Sequence, residues 1–500
     1  MKKVLAFDFG ASSGRAMLGI YDQGDLSLEE VHRFKNYPLE RDGQLFWDID
    51  YLFGEVKVAI QKAQQTHVLD SIGVDTWGVD FGLIGDDGQL LQLPRSYRDP
   101  YTAQVLPAVS QHLDLQTLYQ RTGNQLMPIN TLFQLFATQQ AAPKLVAQAQ
   151  KFLFMPDLFN YLLTGKLFAE RSIASTAQMI DPRTGEWAAD ILAQLAIPQK
   201  LLPPLVDAPH LAGVTKPELG FGAIKVINVC EHDTASAVVS VPNNQNFLFI
   251  SCGTWSLIGT ELQAPVITDQ AYQYNLTNET GINRTTRFLK NLTGLWIIQE
   301  LQRNLAAAKR DYSFGELAAL ADQAPAFQCL IDTDNPLFTA PGPMIPRIRY
   351  FAEFTGQTPP TTEGEFVRCI YESLAMKYKL TYMEISAAVK GEFDAINIVG
   401  GGSQAAILCQ MVADAANSRV IAGPVEATAL GNIAVQLLAQ GEFKDLKEIR
   451  DWLKRYSHTQ YYVPNQDCEV WDREFSRYQA ICKTAGVDHL VTAYAKEPLV

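Results

Sequence analysis

Positive charge is scarce in this 500-residue chain: 41 lysines and arginines stand against 54 aspartates and glutamates, a formal net charge of −13. Binding to a nucleic-acid backbone needs a basic surface, so no nucleic-acid partner is expected. Any anionic ligand must be held by local donors or a metal, against the field of the whole chain. No apolar run approaches the length of a membrane span, so no membrane partner is expected either. The N-terminal apolar run meets Asp8 after Val4–Phe7 and reads as a strand, not a signal segment.

Other signatures are missing too. The seven cysteines contain no C-x-x-C pair, which points to reduced thiols and a cytoplasmic home. There is no H-E-x-x-H and no zinc-like Cys/His spacing. The phosphate loop G-x-x-x-x-G-K-[ST] is absent; Gly165-Lys166 is followed by Leu167. The commonest NTPase and metalloprotease signatures are thereby absent.

What is present is an α/β pattern with an internal echo. Val4–Phe9 is a short β-rich run that ends in Gly10-Ala11-Ser12-Ser13-Gly14-Arg15, and a second apolar run, Ala16–Ile20, follows. About half a chain later, Phe247–Ser251 runs into Cys252-Gly253-Thr254 and then Trp255–Gly259. Both read as strand, small-residue turn, strand. Ala395–Val399 predicts a strand ending in Gly400-Gly401-Gly402, with helices over Gln404–Ala416 and Ala427–Ala439. Phe81–Leu91 predicts a hairpin about Asp86-Asp87-Gly88. The expected division is into two α/β halves of similar size, 1–240 and 241–500.

Several stretches could carry chemistry. An acid at a strand end, followed by glycine and hydroxyl residues, offers backbone N–H and Oγ donors to an anion. Asp8 could hold Mg²⁺, and Arg15 could contact phosphate as a forked donor; the plainer reading is a hairpin with an exposed acid. The same turn matches G-x-S-x-G, but a strand pattern follows where a nucleophile elbow needs a helix. Gly400–Ala405 satisfies G-x-G-x-x-A, the weak form of a dinucleotide fingerprint, without the expected acid after the next strand. Asp75 and Asp80 flank Trp77, which suits a sugar's ring face and hydroxyls; a buried Trp with two turn-forming acids is equally compatible. Asn291 is a plausible hydroxyl ligand.

The sharpest case is Glu231-His232-Asp233, which interrupts the otherwise apolar or small run Val226–Val239. A lone histidine in such company is most simply a satisfied structural group. Asp233 could cap a helix over Thr234–Val239, worth about 1 kcal/mol, or face a cleft and accept a proton from an incoming hydroxyl.

In order along the chain stand DFGASSGR, GVDTWGVDFG, EHDTASAV, SCGTWSL, KNLTGLW, VGGGSQ and GPVEATALGN. Together these resemble the FGGY carbohydrate kinases, from residue 4 to about 465. Xylulose, glycerol and gluconate kinases share the plan but differ at the sugar-facing stretches. The resemblance implies an α/β protein of two actin-like (ribonuclease H-like) domains, with MgATP and a ketose meeting in an interdomain catalytic cleft. On this basis Ala11, Ser12, Ser13, Gly14 and Arg15 form one phosphate turn and Thr254 belongs to the second. Gln299 lies near the nucleotide and Gly401 against the adenosine. Gly78, His232, Asp233, Thr234 and Asn291 contact the sugar, and Asp233 is the base. Asp8 and Asp233 are the implied Mg²⁺ ligands. Cys252 stands where serine is expected, and Ser403 where cysteine is common; both are small.

Overall fold

The computed structural model describes residues 1–10, 12–465 and 468–486. The chain forms two compact units. The first gathers Met1–Asn244, Glu261–Leu289 and Ala427–Ser457; the second gathers Gln245–Thr260, Lys290–Glu426 and His458–Val500.

The sheet of the first unit runs His210–Val214, Lys225–Asn228, Ser71–Thr76, Lys2–Phe9, Ser13–Asp22, Asp25–Lys35. The middle three strands are parallel to one another, and the flanking pairs are antiparallel. Val4 to Phe9 and all of Ser71–Thr76 are buried. Strands covered on both faces are expected to read as near-continuous apolar runs; Val4–Phe9 does so up to Asp8, whereas Ser71–Thr76 also buries Ser71, Asp75 and Thr76. Helix Ile49–Gln64 buries Leu52, Val56, Ala59, Ile60 and Ala63 along one stripe, and Asp48 caps its start by accepting from the Tyr51 N–H. Phe9 stacks on Phe159 with ring centroids 4.6 Å apart and meets Phe34 edge-on at 5.3 Å. This aromatic cluster anchors the strand that ends at the first turn.

The second large sheet has seven strands, in the order Thr277–Thr280, Thr286–Thr293, Trp255–Leu262, Phe247–Cys252, Ala395–Val399, Val420–Ala422, Gln460–Tyr462. Here too an antiparallel hairpin precedes two parallel pairings and an antiparallel edge. The echo between the two turns is therefore a duplicated sheet plan, that of the actin-like fold. The 27-residue helix Glu363–Val389 opens with a reciprocal capping box between Thr362 and Glu365, which satisfies two otherwise orphaned donors.

Two local expectations gain detail. The hairpin about Asp86–Gly88 forms, with Gly85 N–H bonded to Gln89 O, Leu91 N–H bonded to Leu83 O and Ile84 bridged antiparallel to Leu90, while strand Phe81–Ile84 also takes Lys151–Phe154 as its ladder partner. The helix expected from Gln404 begins at Ala406, after a 3₁₀ turn over Gly401–Gln404. Among the described residues no helix is long and apolar enough to cross a membrane.

Helix Ala427–Ala439 belongs to the first unit although it lies far along the chain. It packs on Asp233–Val239 so closely that a Cβ on Gly431 would stand 1.8 Å from the Ser236 carbonyl oxygen. Gly431→Ala should therefore destabilise the protein by about 2 to 3 kcal/mol through forced overpacking, read as a lower urea midpoint. Gly54→Ala is the control: its Cβ would meet nothing within 4 Å, so a helical alanine should be neutral or stabilise by about 0.5 to 1 kcal/mol.

Candidate active site

Strand register places the first acids. Asp8 stands opposite Arg15 across the antiparallel pair and opposite Asp75 across the parallel one. Arg15 donates from Nε and Nη2 to Asp8 Oδ2 at 3.1 and 2.9 Å. The acid is thus an ion-paired group, not the exposed acid of a plain hairpin.

The turn between them is braced by Asn36, whose Nδ2 donates to Gly10 O at 2.7 Å and whose backbone N–H donates to Ser12 O at 3.1 Å. Ser12 and Ser13 remain half-buried. Gly14 is compelled by packing, because a Cβ there would stand 2.3 Å from the Phe34 ring. Ala11 lies outside the described residues. A strand, Ser13–Asp22, follows the turn directly, so no nucleophile elbow forms.

Asp233 is the first residue of helix Asp233–Val239, whose N-cap position is taken by His232. Asp233 is therefore not the N-cap, although its Oδ1 still accepts from the Thr234 N–H at 2.6 Å and from Thr234 Oγ1 at 3.2 Å. His232 Nε2 lies 3.4 Å from the same oxygen. Oδ2 makes no hydrogen bond to the described residues, and the side chain is 31% exposed. Desolvation raises the Asp233 carboxyl above its usual 3.8; His232 opposes the rise and the Asp8 charge adds to it. Asp75, fully buried, is held well above its usual value by desolvation and then by the charge of Asp8, with the Asn432 hydrogen bond pulling the other way. Three carboxylates thus sense one another around a single guanidinium.

His232 is wired on both ring nitrogens. Nδ1 lies 3.3 Å from Glu279 Oε2 and 3.3 Å from Arg287 Nη2, and Arg287 pairs with Glu279 at 3.1 Å. A Cβ on Gly78 would lie 3.5 Å from His232 Nε2 and 3.3 Å from Thr176 Oγ1, so Gly78, His232, Asp233 and Thr234 do come together. Next to Gly78, Val79 holds φ 67°, a costly conformation for a β-branched residue. Its carbonyl is clamped by Thr131 Oγ1 at 2.6 Å.

The sugar-facing reading of Asp80 and Trp77 does not survive. Asp80 Oδ2 accepts from the Trp47 indole at 2.6 Å, the Trp77 indole at 3.0 Å and the Tyr97 N–H at 3.2 Å, while Oδ1 accepts from Gln134 at 2.9 Å. Burial raises its carboxyl to about 6 against these bonds. Asp80 is the buried hub of a structural network, and Trp77 points inward to it.

In the second unit, Thr254 and Gln299 are brought together, Thr254 Oγ1 donating to Gln299 Oε1 at 3.1 Å. The turn is tied by backbone bonds from Gly294, Leu295 and Trp296 to Thr254 O and Gly253 O. Gly400 has φ 82°. A Cβ on Gly401 would meet nothing within 4 Å, whereas one on Gly402 would sit 2.2 Å from Cys252 Sγ. Gly401 is thus open above a turn pressed onto Cys252, and a 3₁₀ turn stands where a dinucleotide site needs its helix. Asn291 is half-buried in the same unit.

Sequence reasoning missed Glu279, Arg287 and Asn432. The signal for the first two was available: an acid and a base flank the turn at Gly281–Thr285. Asn432 closes the GPVEATALGN stretch, but its partner Asp75 lies 357 residues away, so the pairing itself had no local signal. Among the described residues no trio of His, Cys, Asp or Glu is arranged to hold a metal. Asp8 and Asp233 offer a pair of mutually repelling carboxylates, a donor set suited to Mg²⁺, which takes one or two carboxylates and keeps several waters.

Residues 3–240 match the N-terminal domain of the FGGY family of carbohydrate kinases, and 248–440 match its C-terminal domain. The rhamnulokinase of Enterococcus faecalis is 39% identical over 492 residues, 97% of this chain and 98% of the relative. That of Bacillus subtilis is 38% identical over 465 residues, 92% and 95% of the two chains. In fold, the chain is similar to gluconate kinase from Lactobacillus acidophilus, with TM-score 0.81, 18% identity and 97% and 99% coverage. Glycerol kinase of Plasmodium falciparum, solved with ADP, has TM-score 0.79, 14% identity and 97% and 98% coverage.

The coupling of Asp8 to Asp233 is measurable. Followed by the side-chain carboxyl ¹³C shift, Asp233 should titrate above 3.8. In Asp8→Asn the titration should move down, because one repelling charge is removed and Arg15 is released from its partner. An unmoved titration would show that the two acids do not interact.

Proposed function

The chain belongs to the FGGY family of carbohydrate kinases, and we propose that it transfers the γ-phosphoryl group of ATP to the 1-hydroxyl of L-rhamnulose. The products are L-rhamnulose 1-phosphate and ADP. The sugar is suggested by relatives named rhamnulokinase that align over nearly the whole chain. The observation that carries the chemistry is Asp233: Oδ1 is held by Thr234 and faces His232, which leaves Oδ2 to meet a hydroxyl.

In this reading the C1 oxygen attacks the γ-phosphorus, the bond from that phosphorus to the β,γ-bridging oxygen breaks, and the C1 hydroxyl proton passes to Asp233. Phosphoryl transfer has a loose transition state, so orientation and charge stabilisation outweigh early proton removal. Asp233 must be ionised to act, and its raised carboxyl makes it a stronger acceptor than an open aspartate. His232 and Thr234 fix its rotamer, and Gly78 leaves room beside the histidine for the ketose. Asn291 adds a further sugar contact. Ser12, Ser13, Gly14 and Arg15, with Ala11, are the proposed donors to phosphate oxygens; Thr254 and Gln299 are assigned the same role, and Gly401 the adenosine. Mg²⁺, held through Asp8 and Asp233, would neutralise charge on the phosphates.

Two measurements test this. Asp233→Asn should lower kcat by at least about 10²-fold, the range for a lost general base, with ATP binding retained; near-normal turnover would remove Asp233 from its role. In a coupled ADP-release assay over L-rhamnulose, L-fuculose, xylulose, ribulose and glycerol, L-rhamnulose should give the highest kcat/KM. A higher value for another sugar would reassign the substrate.

A further inference from the structure

A strained turn lies beside the residues assigned to the ketose, and the proposed reaction gives it no task. Among the described residues, Val79 is the one β-branched residue that holds a positive φ, 67°. The Asp80 N–H donates across it to Gly78 O at 2.9 Å. A three-residue turn closed in this way, with positive φ at its centre, is the rare and strained form of the γ-turn. A branched Cβ makes that conformation worse.

Both ends of the turn are pinned. The Trp77 N–H donates to Phe9 O at 3.2 Å. The Asp80 side chain accepts from its four donors, and Asp80 O accepts from the Met155 N–H at 3.2 Å. Gly78 and Val79 must span these anchors. Val79 is held at both of its own backbone groups. Its N–H donates to Thr176 Oγ1 at 3.3 Å, and its carbonyl accepts from Thr131 Oγ1 at 2.6 Å and Gln134 Nε2 at 3.3 Å.

The two donors to that carbonyl are unequal. An amide nitrogen carries two hydrogens, and Gln134 Nε2 already serves Ile129 O at 2.7 Å and Asp80 Oδ1 at 2.9 Å. Thr131 is fully buried and gives its one hydroxyl proton to Val79. It is also the first residue of helix Thr131–Ala141, so the clamp stands on a rigid element.

The turn decides where Gly78 lies. A Cβ there would stand 3.3 Å from Thr176 Oγ1 and 3.5 Å from His232 Nε2. Relaxing Val79 to a negative φ would swing Gly78 relative to the pinned Asp80. Strain persists where the surroundings over-determine it, and it clusters at ligand clamps. We propose that Thr131 is a positioning residue for the ketose: its hydroxyl holds Val79 in the strained turn, and the turn sets Gly78 and the space beside His232. This rests on Gly78 being a sugar contact.

Thr131→Val removes the donor at similar size. The ketose KM should rise about 10-fold, the scale of a displaced site residue, while KM for ATP stays within about 2-fold. Thr131→Ser keeps the hydroxyl and should remain within about 3-fold of wild type. Asparagine tolerates positive φ far better than valine, so Val79→Asn should need no clamp. Adding it to Thr131→Val should return the ketose KM to within about 3-fold of Val79→Asn alone. An unchanged KM in Thr131→Val, or an equal rise in both backgrounds, would overturn the positioning role.

Stability supplies a readout that needs no substrate. In the wild-type background, Thr131→Val lets the valine relax, and the released strain offsets part of the lost bond. In the Val79→Asn background there is little strain to release. The Tm drop caused by Thr131→Val should therefore be larger in the Val79→Asn background, although the kinetic defect is smaller there. Equal drops would show that the hydroxyl holds no strain. Gly78→Ala is assayed alongside: a wild-type ketose KM would withdraw Gly78 from the sugar site, while the Tm comparison still judges the clamp.

Discussion

Three carboxylates, Asp8, Asp75 and Asp233, are held within electrostatic range of one another, and the guanidinium of Arg15 binds the first of them. That crowding is imposed by strand register. Lys2–Phe9 pairs antiparallel with Ser13–Asp22 and parallel with Ser71–Thr76, so Asp8 has Arg15 on one side and Asp75 on the other. The bridge from Thr76 to His232 brings the third acid in. Clustered like charge is unstable alone and is tolerated where a cation or a shared proton balances it. In the proposed reaction, Mg²⁺ would supply that balance.

The same unit shows how buried acids are settled when they have no such role. Asp80 is saturated by two indoles, a backbone N–H and an amide. Glu170 sits in a nest of donors. Glu231 Oε1 is held by Asn160 and Asn228, and Asp157 Oδ1 by the Glu170 N–H. Leaving a buried polar atom unmet costs about 1 to 3 kcal/mol, so each of these acids has its partners built into the fold. Asp233 differs: one oxygen is held and the other is not, and its side chain is partly open. That contrast singles out Asp233 more firmly than the presence of an acid in an apolar run.

Helix Ala427–Ala439 shows how the site depends on distant chain. Asn432 donates to Asp75 Oδ2 at 2.6 Å, and Gln436 bonds Ser71 and the Leu5 carbonyl. A mostly apolar helix thus carries two buried amides onto strands Lys2–Phe9 and Ser71–Thr76, from the first quarter of the chain. Gly431 lets it approach the helix that begins at Asp233, coupling the placement of the acid to the packing of residues some two hundred positions later.

Much of this was legible in order of residues alone. The two strand-turn-strand units follow from short apolar runs meeting small residues, and strand Ala395–Val399 and helix Ala427–Ala439 have the expected bounds, because local periodicity sets local structure. The chain's spaced motifs were also enough to suggest the family. What sequence could not decide was which charges pair. Asp80 and Asp233 look alike in the chain, each an acid in a stretch that is otherwise mostly apolar or small. Only folding surrounds the first with four donors and leaves an oxygen of the second unmet, because hydrogen-bond partners such as Gln134, Glu279 and Asn432 arrive from segments whose approach is fixed by packing and not by spacing.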